Sequence, residues 1–166
     1  MTIKDLENLH MIFSDVESMK YYPKPFTLQE TKNWINWNIE NYSNYGFGLW
    51  CVILKENDQL IGDCGITLQK INNNMEPELG YHINKNYLNK GYATEAAQAC
   101  RDYAFENFKF KKIYSYMKYS NIASVKVAEK VGMKLENELK DENNGITKIY
   151  AITFEEYQNN VKSYRI

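Results

Sequence analysis

Apolar side chains recur at helical spacing up to residue 45 and then change to short runs and alternation. Leu6, Leu9, Ile12 and Phe13 follow steps of three and four, which predicts a helix. Tyr21-Tyr22-Pro23-Lys24-Pro25-Phe26 must break it, because each proline fixes its own backbone and pushes the preceding residue toward extended conformations. Thr27 followed three residues later by Glu30 predicts a capping box at the start of a second helix, with Trp34, Ile35, Trp37 and Ile39 as its apolar surface. Leu49-Trp50-Cys51-Val52-Ile53-Leu54 reads as a strand covered on both faces. A turn at Asn57-Asp58 leads to a returning strand over 59–69. Asn72-Asn73-Asn74 reads as a loop and 76–84 as a third strand.

The strongest helical pattern covers 91–107, where Ala93, Ala96, Ala97, Cys100, Tyr103, Ala104 and Phe108 share a face of mostly small side chains. Lys112 to Lys118 alternates as a strand, with Ile113, Ser115 and Met117 opposed to Tyr114 and Tyr116. A helix over 121–131 ends at Gly132, where a left-handed cap is wanted. Segments 135–139 and 146–154 form a closing hairpin around Asp141-Glu142-Asn143-Asn144-Gly145. The last dozen residues read as a short helix or tail. No repeat or linker divides the chain, so 1–166 reads as a single α/β (α+β) domain.

Composition narrows the function classes. The chain has 166 residues, 44% hydrophobic and 25% charged, the balance of a globular protein that needs no metal or disulfide for its core. The net charge of −1 offers no basic face for DNA or RNA, and Lys109, Lys111 and Lys112 read as a solvated turn. Cys51, Cys64 and Cys100 are widely spaced, and the only histidines are His10 and His82. No metal site is expected, and reduced thiols suit a cytoplasmic protein. There is no long apolar run or leader, so no membrane association is expected.

The chemistry gathers around Gly91. A strand, a short loop, a glycine and a helix can bind phosphate, because the first turn of a helix has unpaired amides and a partial positive charge. The same pattern also describes an ordinary glycine turn. Neither a P-loop nor a dinucleotide fingerprint is present.

Glu78-Leu79-Gly80-Tyr81-His82-Ile83 followed by Tyr87-Leu88-Asn89-Lys90-Gly91-Tyr92-Ala93-Thr94-Glu95-Ala96 resembles the acetyl-CoA motif of the GNAT N-acetyltransferase superfamily, in its RimJ/RimL-like branch. The family pattern Gln/Arg-x-x-Gly-x-Gly/Ala maps to Leu88 through Ala93, with Leu88 and Asn89 as departures. Asn121 to Met133 resembles the branch's second block, and Tyr45 to Trp50 with Gly62 and Gly65 a third. The family opens with a strand before the helical arm; here that strand is expected to be short or missing.

The resemblance implies a GNAT-like, mostly antiparallel sheet with a splayed strand pair, flanked by helices. It implies acetyl-CoA as co-substrate and no metal. Backbone groups of Tyr81, His82 and Ile83 would pair with the pantetheine arm. Asn89, Lys90, Gly91, Tyr92, Ala93 and Thr94 would cradle the phosphates. Asn121 would bond the pantetheine arm, or simply cap its helix.

Acyl transfer to an amine also needs a base, oxyanion stabilisation and a proton for the leaving thiolate. The tyrosine many relatives use as donor falls at Ala128 here. Ser124, one turn earlier on the same face, is the candidate donor; bonding to its own helix is the other reading. Glu78 is the candidate base, on the same strand face as Gly80 and His82, with Glu76 and His82 as rivals. The acceptor is expected between aromatic residues of the arm (Tyr21, Tyr22, Phe26, Trp34, Trp37) and an acidic rim of Glu136, Glu138, Asp141 and Glu142. A small amine or a protein N-terminus would suit it, and a homodimer is compatible with exposed aromatics. Two other readings remain: a non-catalytic acyl-CoA sensor or scaffold, and an unrelated domain binding another phosphate ligand.

Overall fold

Thr27 starts the long arm helix. The Glu30 amide donates to its hydroxyl at 3.2 Å, and the Thr27 amide donates to the Glu30 carboxylate at 2.7 Å. These reciprocal bonds satisfy amides that a helix start otherwise leaves unpaired.

The computed structural model describes residues 1–71, 74–140 and 145–163. Helices α1 (Leu6–Phe13) and α2 (Leu28–Tyr45) come first, then strands β1 (Leu49–Ile53), β2 (Leu60–Ile71) and β3 (Asn74–Ile83). Helix α3 (Tyr92–Phe108), β4 (Lys112–Lys118), α4 (Ile122–Lys130), β5 (Lys134–Lys140), β6 (Ile146–Thr153) and α5 (Phe154–Ser163) follow. The sheet order is β1-β2-β3-β4-β6-β5. Every neighbouring pair is antiparallel except β3 and β4, which run parallel. This is the mixed, mostly antiparallel sheet flanked by helices that was expected.

Helices α3 and α4 cover one face of the sheet, where Ile66, Leu79, Ala97, Ala104, Ile113 and Ile152 are fully buried. Helices α1 and α2 cover a separate core of Leu9, Phe13, Met19 and Ile35. Arg101 on α3 is itself buried, and its guanidinium donates to the Val131 carbonyl at 2.5 Å, fastening α3 to the end of α4.

Several sequence expectations are corrected. The buried face of α2 is Thr31, Ile35, Asn38 and Asn41, and Ile39 faces solvent. Tyr103 on α3 is also exposed, because Ala97, Arg101, Ala104 and Phe105 form the buried stripe. The β1 run is not covered on both faces: it is an edge strand, and Ile53 is exposed. Asn74 opens β3 rather than closing a loop, while Asn72 and Asn73 lie outside the described residues. Residues Asp141 to Asn144 of the hairpin turn and 164–166 of the tail also lie outside them.

Asn38 explains why α2 buries polar groups. Its amide nitrogen donates to the Trp34 carbonyl at 3.0 Å, and its oxygen accepts from the Leu49 amide at 2.7 Å. One side chain thus ties α2 to the start of β1 and fixes the turn that carries Trp34. Asn38→Ala is expected to cost about 2 kcal/mol, since it strands a buried backbone amide. The readout is a lower urea midpoint at unchanged slope.

Candidate active site

Gly91 ends the junction between β3 and α3 in a left-handed conformation. Its φ is 91°, and Asn89 just before it also has positive φ, at 60°. Glycine takes such a conformation without the steric cost that a Cβ would bring. No side chain caps α3, whereas Thr27 caps α2 and Asn121 caps α4. A Cβ built on Gly91 would meet no protein atom within 4 Å. The helix start therefore presents its amides and positive end to open space. Lys90 lies exposed beside it, its ammonium 5.1 Å from the Tyr87 ring. Tyr92, Ala93 and Thr94 form the first turn.

The strand pair leading to this junction is nearly unjoined. Parallel strands β3 and β4 pair at a single position, Glu78 opposite Tyr114. Beyond it, Leu79 to Ile83 have no ladder partner on β4 among the described residues. On the other edge, β3 pairs continuously with β2, and the Asn84 amide donates to the Ile61 carbonyl at 2.8 Å in the same register. Antiparallel pairs alternate between bonded and non-bonded positions. The backbone groups of His82, Gly80 and Glu78 therefore face β2, and those of Tyr81 and Ile83 face the gap. This corrects the expectation for His82, whose backbone pairs with β2 and does not face the gap.

The Tyr81 phenol donates to the Ser124 carbonyl at 2.9 Å, which sets that ring beside the first turn of α4. Burial holds the phenol above its usual range, so it stays protonated at neutral pH. Asn121 takes up its capping role, accepting from the Ser124 amide at 3.1 Å.

On the opposite sheet face, Glu78 and His82 flank Gly80. Burial pushes the Glu78 carboxyl up to about 7, while the Thr67 hydroxyl, which donates to it at 3.3 Å, and His82 pull the other way. His82 Nδ1 lies 2.6 Å from Asp63 Oδ1, and Asp63 is fully buried. The Trp34 indole donates to the other Asp63 oxygen at 2.9 Å, and the Tyr22 hydroxyl bonds His82 Nε2. Burial alone would lower the His82 pKa. The charge and hydrogen bond of Asp63, joined by the charge of Glu78, more than offset this and hold it above its ordinary value.

Beside this cluster runs an open groove of about 410 Å³, lined by Phe26, Glu30, Asn33, Trp34, Trp37 and Gln69. Phe26 and Trp34 stand edge to face with centroids 5.9 Å apart, and Trp37 leans on Trp34 at 5.3 Å. Gln69 donates to the Thr67 hydroxyl at 3.3 Å, so groove, Thr67 and Glu78 are continuous. Tyr21 lies outside this lining, against Lys20. Of the expected acidic rim, Glu136 pairs with Lys112 at 2.9 Å and Glu138 lies 3.8 Å from Lys148. Asp141 and Glu142 lie outside the described residues.

Residues 1–134 match the model of the acetyltransferase (GNAT) domain. The chain belongs to the GNAT acetyltransferase family. Curated relatives include two Bacillus subtilis proteins. The uncharacterized protein YkkB is 39% identical, covering 74% of this chain and 72% of its own. The uncharacterized N-acetyltransferase YnaD is 36% identical, covering 82% and 78%. Among solved structures, a GNAT-family acetyltransferase from Bacillus anthracis superposes with a TM-score of 0.78 at 34% identity, covering 93% of this chain and 92% of that one.

Asp63 is the site residue that the sequence reading missed, and Tyr22 and Trp34 were seen only as aromatic walls. A signal was present: Asp63 stands alone in the apolar run Leu60-Ile61-Gly62-Asp63-Cys64-Gly65-Ile66. An acid inside a buried strand needs a partner. Among the described residues, no cluster of His, Cys, Asp and Glu could hold a metal, and no helix is long and apolar enough to cross a membrane.

Proposed function

We propose that this GNAT protein transfers the acetyl group of acetyl-CoA to a primary amine, either a small molecule or a protein N-terminus. The observation that carries this reading is the uncapped start of α3 at the open end of the β3–β4 gap. The residues there fit the group: amides of Tyr92, Ala93 and Thr94 suit the phosphates, with Asn89 and Gly91 shaping the loop and Lys90 adding charge. The outward backbone groups of Tyr81 and Ile83 suit the pantetheine arm, as a strand edge suits an added strand. The Asn121 side-chain oxygen is engaged in capping, which leaves its amide N–H₂ for the same arm.

When bound, acetyl-CoA supplies an activated acyl carbon with a thiolate leaving group. Glu78 takes a proton from the acceptor ammonium; a carboxyl near 7 is matched to that task at neutral pH. Ser124, next to the Tyr81 phenol, supplies the proton that the thiolate needs. The aromatic groove favours an amine carried on an apolar body, with Asn33 and Gln69 available to its polar groups.

Release of free thiol from acetyl-CoA across a panel of amines and peptides tests the reading. The wild type should turn over with at least one of them, and no response with any would sink it. Ser124→Ala should lower kcat by about 100-fold with acetyl-CoA binding intact. A variant as fast as the wild type would remove Ser124 from the mechanism.

A further inference from the structure

Acylating an alkylammonium strips two protons from its nitrogen. One ends on the departing thiol; the other must reach water. Glu78, partly covered at the end of the groove, takes the first, and the second needs an acceptor of its own.

The face around Gly80 provides one. A Cβ on Gly80 would approach the Glu78 carboxylate to 3.1 Å, so glycine keeps the floor between Glu78 and His82 flat. Both nitrogens of the His82 ring are engaged, Nδ1 by Asp63 and Nε2 by the Tyr22 hydroxyl. A ligand over Gly80 therefore reaches the imidazole only through the Tyr22 oxygen. Asp63 cannot rotate away, because Trp34 holds its second oxygen at 2.9 Å. Tyr22 as a residue keeps 36% of its surface exposed, while the His82 side chain keeps 11% and Asp63 none. The chain of bonds thus runs from a buried carboxylate to a residue that lies at the surface.

Resting on the transferase reading above, we propose that Tyr22, His82 and Asp63 form the exit path for the second proton. The nitrogen gives its proton to the Tyr22 oxygen while the Tyr22 proton moves to His82 Nε2; the Nδ1 proton stays against Asp63. The path resets when Nε2 returns its proton to Tyr22 and Tyr22 releases one to water. The C–N bond forms and the C–S bond breaks as already described; the proton on Glu78 passes through solvent to restore the Ser124 hydroxyl that protonated the thiolate, so the nitrogen's second proton is the only one left for the path to discharge. Tyr22 is the catalytic residue; His82 and Asp63 act through it as positioning residues.

The charged and titratable groups around the ring are Asp63 from β2, Glu78 from β3 itself and Tyr22 from the segment between α1 and α2, and Tyr22 in turn feels Tyr116 from β4. Phe13 and Trp34 add only their rings. Burial and then the charges of Glu78 and Asp63 keep the Tyr22 phenol protonated, so it can relay but not hold a charge. Asp63 and Glu78 favour protonated His82, so the path opens only as pH rises through the His82 pKa.

Kinetics and NMR on the full chain decide it. The wild-type kcat/KM should fall toward acid with two protons, from Glu78 and His82. Tyr22→Phe should lower kcat by about 100-fold with an unchanged acetyl-CoA thermal shift. Asp63→Asn should move the NMR titration of His82 to lower pH and leave a one-proton acid limb; His10 is the only other histidine to assign. His82→Gln should give the same one-proton limb should Asp63→Asn fold poorly. Tyr22→Phe within twofold of a turning-over wild type, or a His82 titration unmoved by Asp63→Asn, would overturn the path alone. A wild type that binds acetyl-CoA but acetylates no amine would overturn the transferase reading and the path with it.

Discussion

Gly91→Val is expected to yield a folded protein that no longer gains stability from acetyl-CoA. At a hundred times the dissociation constant, a ligand that binds only the folded state adds about 2.7 kcal/mol. The wild type should show that shift in thermal melting and the variant should lose nearly all of it. Two separate penalties act. A β-branched residue at a φ of 91° is strained by about 1–3 kcal/mol, which lowers the melting point without ligand. The added side chain also projects into the space at the helix start, where it meets no protein atom within 4 Å and would meet the phosphates instead. Gly91→Ala separates the two, because it carries a similar backbone strain with less bulk and should retain part of the ligand shift. A Gly91→Val protein that still binds acetyl-CoA tightly would contradict the cradle.

Local signals along the chain were readable and distant partnerships were not. The Thr27–Glu30 box, the bounds of β4 and the left-handed Gly132 each depend on neighbours within a few residues, and each lies where the pattern puts it, whereas α1 ends at Phe13, well before the prolines expected to break it. The buried face of α2 was misread because apolar side chains mark burial only when no polar partner exists. Asn38 is fully buried because Leu49, on the next element, completes its hydrogen bonds. The order of the last strands also escapes local patterning: β6 lies between β4 and β5, so the hairpin folds back into the sheet. For the candidate site, the spacing of Glu78, Gly80 and His82 was enough to group them on one face. The joining of Tyr22 to His82 across 60 residues, and of Trp34 to Asp63 across 29, depends on how the arm lies over the sheet.

Glu78→Gln is expected to push activity and stability in opposite directions. As the base, Glu78 should account for about 100-fold or more of kcat, and the glutamine cannot accept the proton. Stability follows from where the proton sits. Burial raises the folded-state pKa from an ordinary 4.5 to about 7. Between these values the folded protein holds a proton that the unfolded chain has released, so stability falls as pH climbs through this window. Above pH 7 the folded state carries a buried carboxylate at a cost on the order of 3 kcal/mol. Glutamine keeps the shape, still bonds Thr67 and carries no charge. The variant should therefore match the wild type near pH 4 and become progressively more stable between pH 4.5 and 7, with the difference levelling off above that. Urea midpoints taken across this range measure it. An equal stability difference at every pH would mean that the carboxylate is not buried against its charge, and the case for Glu78 as a base tuned to neutral pH would fail with it.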